Sequence, residues 1–488
     1  MRAARLGAGA ARRAFARSGA RTGPSPARAY ATWAVSAGNG DHGRLGHGPS
    51  GSGDDALGLS SARFRIVQLP VDAVAACAGG AHTVLVGADG AVYTCGLNDF
   101  GQLGHSPGAS HAAVPKKVEG LPEHDPVVAA AAGHFHTLCL TRDGEVWAFG
   151  RNDRAQCGTG PGPGGGAAPA APTPRWLASL SPNAPGGDDR GPVTALAAGA
   201  RHSIAVTANG AVFTWGADFE GCLGHGGETS ATLSDSRNAG GSSFLRAAYD
   251  SLARFAGSTN KNASSPRLVR ALADAGVRAV AASCGDAHSL VLDDAGTVRA
   301  FGQGRFNQLG VGAARNVAWL ETPTIVEIPA ELSGGGVARL EAGGNFNVAV
   351  TRDGGLLSWG ANGNGECGGG VEDDGRRDRP RAVARPTDPK TRRSLAFQEV
   401  DAGWRHAAAT TRDGRLFAWG WGGSAGQHWE DAFTTGGQLG VGDGQVDHWE
   451  PTRVPGIGGG GGGAPRAKSV SCGFNHTVAL VSDDPIDR

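Results

Sequence analysis

Six histidines, His82, His136, His202, His288, His406 and His476, recur at one position of a repeated sequence unit. Imidazoles in such number suggest a metal cluster or a set of general bases, and either chemistry requires the rings to converge on one point. One ring per unit argues instead for a structural role, a side-chain hydrogen bond fixing the start of a strand in each unit. The eight cysteines (77, 95, 139, 157, 222, 284, 367 and 472) include no C-x-x-C pair and occupy small or apolar positions of the same units, so they read as buried reduced thiols. Gly422 to Gly426 spells G-x-S-x-G, but the helix that a nucleophile elbow needs does not follow. Gly160 to Gly165 fits a dinucleotide fingerprint in letters only, because its prolines and the Ala/Pro tract to Pro174 make it a surface linker. The sequence holds no Walker lysine or zincin motif. No catalytic residue, cofactor or metal is therefore expected, and any activity would have to work without covalent chemistry.

What positions these residues is the repeat itself. With 83 Gly and 26 Pro in 488 residues the chain excludes long helices, yet 40% hydrophobic residues, 18% charged residues and 11 Trp exclude disorder. No apolar run is long enough for a membrane-spanning helix. A first glycine recurs at Gly79, Gly133, Gly199, Gly285, Gly343 and Gly403. A second follows 11 residues later (Gly90, Gly144, Gly210, Gly296, Gly354, Gly414), and a third 6 after that (Gly96, Gly150, Gly216, Gly302, Gly360, Gly420). Apolar runs flank the second glycine, as Thr137 to Thr141 and Glu145 to Phe149 flank Asp143-Gly144, and predict an antiparallel hairpin. A third, outer strand is expected around Pro-x-x-Val, as at Pro115 to Val118. Trp147, Trp215, Trp359 and Trp419 read as packing between units.

A seventh first glycine, Gly473, opens a unit that breaks off, and its missing half stands at the other end, in Thr32 to Gly46. Joined, the two pieces have the length of the other units. The expected fold is therefore all-β, a seven-bladed β-propeller over residues 31–488, closed by N- and C-terminal strands that share one blade.

These units resemble the repeats of the regulator of chromosome condensation family, seven-bladed propellers, over nearly all of residues 31 to 484. Against that pattern, Asn347 is read as replacing the usual His, Asp484 the turn Gly, and Phe149 and Phe301 the Trp. The resemblance implies function through partners. The founding member of the family is a guanine-nucleotide exchange factor for the small GTPase Ran, using one propeller face and a protruding wedge, and exchange proceeds by differential binding. Asp99, Asp153 and Asp218 follow blade glycines where such a face would be built. Light sensing within the family depends on repeated Gly-Trp-Arg-His-Thr units, of which only Gly403-Trp404-Arg405-His406-Ala407 is present, so Trp404 is expected to stand alone. Trp404 and Arg405 remain candidates for partner contact.

Two insertions are further candidates, because long patterned loops on a rigid ring are where partners dock. Residues 226–265 hold an amphipathic helical pattern with Leu245, Ala248, Leu252 and Phe255 on one face; residues 421–436 hold Trp429 and Phe433. Residues 1–30 carry seven Arg and no acid, ending in Arg28-Ala29-Tyr30-Ala31, and resemble a mitochondrial presequence, with a plastid transit peptide as the alternative. Beyond that segment 38 basic residues face 45 acidic ones, a net of about −7, so direct nucleic-acid binding is not expected. With mitochondrial members of the family as the pattern, the expectation is a matrix scaffold for ribosome assembly or RNA processing, its partners proteins of those processes, with exchange on a small or dynamin-like GTPase as the alternative.

Overall fold

The computed structural model describes residues 32–48, 60–105, 108–161, 168–182, 191–226, 262–312, 317–371, 375–423, 436–458 and 463–483. Two strands come first, β1 (Thr32–Gly38) and β2 (Ser61–Ile66). Blade one is β3 (Ala73–Ala78), β4 (His82–Gly87), β5 (Val92–Leu97) and β6 (His111–Lys117), and blade two is β7 (Val127–Ala132), β8 (His136–Thr141), β9 (Val146–Arg151) and β10 (Ala170–Trp176). Blade three is β11 (Val193–Ala198), β12 (His202–Thr207), β13 (Val212–Gly216) and β14 (Ala263–Leu268), and blade four is β15 (Ala279–Cys284), β16 (His288–Asp293), β17 (Val298–Gln303) and β18 (Trp319–Ile325). Blade five is β19 (Val337–Ala342), β20 (Phe346–Thr351), β21 (Leu356–Gly360) and β22 (Arg377–Val383), and blade six is β23 (Phe397–Ala402), β24 (His406–Thr411), β25 (Leu416–Gly420) and β26 (His448–Arg453). The chain ends on β27 (Arg466–Cys472) and β28 (His476–Ser482). The described residues thus form seven four-stranded antiparallel sheets, and the last sheet has the order β2-β1-β28-β27, so both termini build blade seven.

Each blade has one strand more than the repeat pattern announced. The innermost strand lies just before the first glycine, in short runs such as Ala73–Ala78 and Val127–Ala132 whose small residues carry little alternation. The second glycines have positive φ, +77° at Gly90 and +87° at Gly144, as hairpin turns require. The third glycines face the histidines across the sheet, Gly96 opposite His82 and, in the closing blade, Gly38 opposite His476. The interblade tryptophans bear out the packing role at Trp215, Trp359 and Trp419, all fully buried, each indole N–H donating to a neighbouring loop carbonyl. Trp147 occupies a different register and is half-buried. All eight cysteines are free and seven are buried; burial pushes the Cys95 thiol up to about 12.

The histidines join blade to blade. His82 Nε2 meets Thr137 Oγ1 of the next blade at 3.0 Å, His136 meets Ser203 (2.9 Å), His202 meets Ser289 (3.0 Å), His406 meets Thr477 (2.9 Å) and His476 meets Thr83 (2.9 Å). Each hydroxyl donates onward to a loop carbonyl, as Thr137 does to Gln102 O at 2.9 Å, so each hydroxyl accepts from Nε2–H, and burial favours the neutral form of the rings. The first glycine is fixed by this arrangement, for a Cβ at Gly79 would lie 2.5 Å from His82 Cε1 and 2.7 Å from Gly133 O.

The departure in blade five is one residue earlier than expected. Phe346, paired with Gly360, stands in the histidine position, and Asn347 stands in that of Thr or Ser. Asn347 reproduces the relay, its Oδ1 accepting from His288 at 2.7 Å and its Nδ2 donating to Gln308 O at 2.7 Å. Phe346 has no nitrogen to offer, and the residue at the partner position in blade six is Ala407, so both ends of this one joint are apolar. Changing both partners together leaves no buried polar group unsatisfied. Phe346→His alone is accordingly expected to destabilise by about 1–3 kcal/mol, and F346H/A407T to recover most of that loss by restoring the hydroxyl. Urea unfolding of the two single variants and the double variant at pH 7.5 measures the coupling.

Candidate partner-binding face

The loops after the third glycines and the residues after the first glycines emerge at the same end of the ring. In the former, Asn98 Oδ1 accepts the Leu103 N–H at 3.0 Å and Asn152 Oδ1 the Cys157 N–H at 2.9 Å, tightening each loop. Asp218 does the same for Leu223 N–H at 3.2 Å, so it sits one register earlier than Asp99 and Asp153 and serves its own loop. Asp99 and Asp153 are exposed at the following position. Asp153 is clamped by Arg151 through two bonds of 2.8 Å; burial raises its carboxyl, but the Arg151 guanidinium outweighs this and holds it below the usual carboxylate value. The same guanidinium lies 4.8 Å from the Phe100 ring and 6.0 Å from Phe135, whose rings are 5.4 Å apart.

At the channel mouth the residues after the first glycines are Gly80, His134, Ala200, Asp286, Gly344, Trp404 and Phe474. Small residues on blades one, three and five leave room for large ones from the other four to meet across the axis. His134 Nε2 lies 3.0 Å from Asp286 Oδ1, and the His134 ring stands edge-on to Phe474 at 5.6 Å. Trp404 stacks on Phe474 at 4.0 Å, while Arg405 lies 4.2 Å from the Trp404 ring and 5.8 Å from Trp421. Burial raises the Asp286 carboxyl, yet the bond from His134 and its charge bring it below the ordinary value. The missing repeats of the motif had suggested a lone Trp404, but Phe474, from a unit that lacks the motif, and Trp421, after the third glycine of the same unit, complete an aromatic cluster. His134, Phe135, Phe474, Phe100 and Arg151 carried no sequence signal beyond occupying the variable positions of the repeat.

The central channel, from this plug to the far mouth, has a volume of about 660 Å³, and alanine is the commonest residue on its walls. At one level Ser283 donates to Glu341 at 2.9 Å and Asp401 Oδ2 accepts the Cys472 N–H at 3.0 Å. Burial, then the neighbouring carboxylate Asp401, pushes Glu341 up, and burial pushes Asp401 to about 6. Among the described residues no group of three or more His, Cys, Asp or Glu is placed to hold a metal ion, and no helix is long and apolar enough to cross a membrane. Leu245, Leu252, Phe255 and Trp429 lie outside the described residues.

The profile of the RCC1-like domain matches residues 34–479. The chain belongs to the RCC1-like domain family. It is 28% identical to the ultraviolet-B receptor UVR8 of Arabidopsis thaliana over 83% of this chain and 74% of that protein. It is 32% identical to an RCC2 homolog of Xenopus laevis over 61% of this chain and 52% of that protein, so it spans about half the length of the RCC2 relative. Among solved structures, human WBSCR16 superposes with a TM-score of 0.69 at 21% identity, covering 92% of this chain and 99% of that one. Prp20p of Saccharomyces cerevisiae, described with its binding to Gsp1p and histones, gives 0.66 at 20% identity, covering 93% and 92%. Both structures support the propeller fold of the RCC1-like family.

Proposed function

We propose that this RCC1-like propeller binds protein partners through the loop face that carries Trp404, Phe474, Arg405, Arg151 and Phe135. The observation that carries this reading is the concentration of stacked aromatic and arginine side chains around one channel mouth, the composition of interface hot spots. The finer reading is a scaffold for ribosome assembly or RNA processing in the mitochondrial matrix, supported by the acid-free arginine segment of residues 1–30. Exchange on a GTPase is the second reading, because the structural relative Prp20p is described with Gsp1p and because Asp99 and Asp153 stand exposed on the same face.

Affinity capture from isolated mitochondria tests both. W404A/F474A is expected to weaken capture of the partner at least tenfold with little change in unfolding temperature, since neither ring is fully buried. Recovery of ribosomal or RNA-processing proteins supports the scaffold. Accelerated nucleotide release from a captured GTPase, lost in D99A/D153A, replaces the scaffold by exchange, and unchanged capture by W404A/F474A refutes the face. Retention of the full chain in the cytosol would refute the mitochondrial assignment.

A further inference from the structure

We propose that the hairpin-turn end of blades five and six, the end opposite the partner-binding loops, is a surface for the phosphate backbone of a nucleic acid. Seven basic side chains gather there, Arg352, Arg385, Lys390, Arg392, Arg393, Arg412 and Arg415, against three acidic ones, Asp353, Asp388 and Asp413. The acids are satisfied within the group: Arg385 pairs with Asp353 at 2.7 Å, and Arg415 pairs with Asp413 at 3.1 Å and with Asp388. Arg352, Lys390, Arg392, Arg393 and Arg412 are exposed, and no ion pair among the described residues engages them.

The connection that carries three of these charges is built in advance. Leu395 N–H donates to Pro386 O, Asp388 N–H to Arg393 O and Arg392 N–H to Asp388 O, each at 2.9 Å, and Thr387 bridges Ser394. The carboxylate of Asp388, itself buried under Arg415 of blade six, accepts the N–H groups of Lys390 (2.9 Å) and Thr391 (2.7 Å). Arg392 is held at φ +58°, a left-handed conformation that a non-glycine residue adopts at some cost. The tip is thus ordered before any ligand arrives, which removes an entropic penalty from binding. Beside it, Arg412 donates to Arg352 O at 3.4 Å, and both line the adjoining channel mouth.

The charge is local. The equivalent connections elsewhere on this end carry Glu119, Glu123 and Asp125 after blade one and Glu327 and Glu331 after blade four. The net acidity of the chain, which argued against nucleic acid, therefore averages over a polarised surface, and it is the local field that meets a ligand. A phosphate backbone fits better than an acidic protein. The tip offers Lys, Arg and the exposed hydroxyl residues Thr391 and Ser394, the groups that contact phosphates, and none of the exposed large hydrophobic residues that anchor protein interfaces.

The test is a salt titration of the full chain against a 20-nucleotide single-stranded RNA, a 20-base-pair DNA duplex and polyglutamate, read by anisotropy. Five phosphate contacts predict a slope of log K against log salt of about −3.5 for the single strand or about −4.5 for the duplex. K390E/R392E/R393E is expected to weaken binding more than tenfold and flatten the slope by about 2, with unfolding unchanged because these tips are exposed, while R270E on the same end of blade three changes neither. RNA binding alone, or binding to both nucleic acids, supports the proposal. Absence of salt-dependent binding, indifference to the triple substitution, or preference for polyglutamate overturns it.

Discussion

Deletion of residues 470–488 is expected to abolish cooperative unfolding rather than lower its midpoint. The deletion removes β28 and the end of β27, and β28 is an inner member of its sheet, paired along Thr32 to Gly38 on one side and with β27 on the other. It takes with it Val478, Leu480 and Val481, all at most 3% exposed, worth about 5–8 kcal/mol of apolar burial together. Two interblade bonds go as well, Ala78 N–H to Ser471 Oγ at 3.0 Å and His476 to Thr83 at 2.9 Å. The sum matches the whole stability of a typical domain, about 5–15 kcal/mol, and the opened ring exposes the flank of β3 and the edge of β1. Calorimetry should show a broad or absent transition, and light scattering should show association. A sharp transition near that of the full chain would mean that the blades are stable without closure. Addition of a peptide of residues 464–488 should restore part of the transition if the loss comes from the opened blade.

How far the sequence reached follows from which features recur. Glycines at spacings of 11 and 6 announced hairpin turns and close contacts six times over, and the split unit at Gly473 and Thr32 announced closure. The innermost strands did not show, because Ala75, Ala129 and Ala131 around a narrow channel present no alternation of apolar and polar residues. A one-residue misreading in blade five came from looking for a polar residue in the histidine position, when Phe346 and Ala407 had both become apolar. The candidate face was legible at Trp404, Arg405, Asp99 and Asp153. Its other members lie at positions that the repeat leaves free, and only the closure of the ring brings His134 to Asp286 and Trp404 to Phe474. The basic run from Arg376 to Arg393 was present in the letters, but net charge concealed it, and folding sorts it: Arg377 is buried against Ser358 while Lys390, Arg392 and Arg393 face outward.

The histidine belt makes the ring acid-labile in a definite window. Burial lowers His82, His136, His202 and His406 to about 3, and lowers His288 and His476 as well. In the unfolded chain these rings titrate near 6.5, so below that pH the unfolded state binds more protons and stability falls as pH drops, down to about 3. Each ring held near 3 contributes about 1.4 kcal/mol of loss by one pH unit below 6.5, so those four contribute about 6 kcal/mol, on the order of the whole stability, with His288 and His476 acting in the same direction. Glu341 and Asp401 act in the opposite sense, because burial raises both and lets the folded state take up protons before the unfolded chain does, Asp401 as pH falls through about 6, but they are two groups against six. Urea midpoints should therefore be level from pH 7.5 to 7, fall steeply by pH 5.5, and reach spontaneous unfolding near pH 5. F346H/A407T supplies a seventh ring to the belt, so it should come close to the parent at pH 7.5 and fall more steeply below 6.5. Equal acid sensitivity of the two proteins, or a flat profile to pH 5, would show that the rings do not stay neutral and buried in the folded propeller.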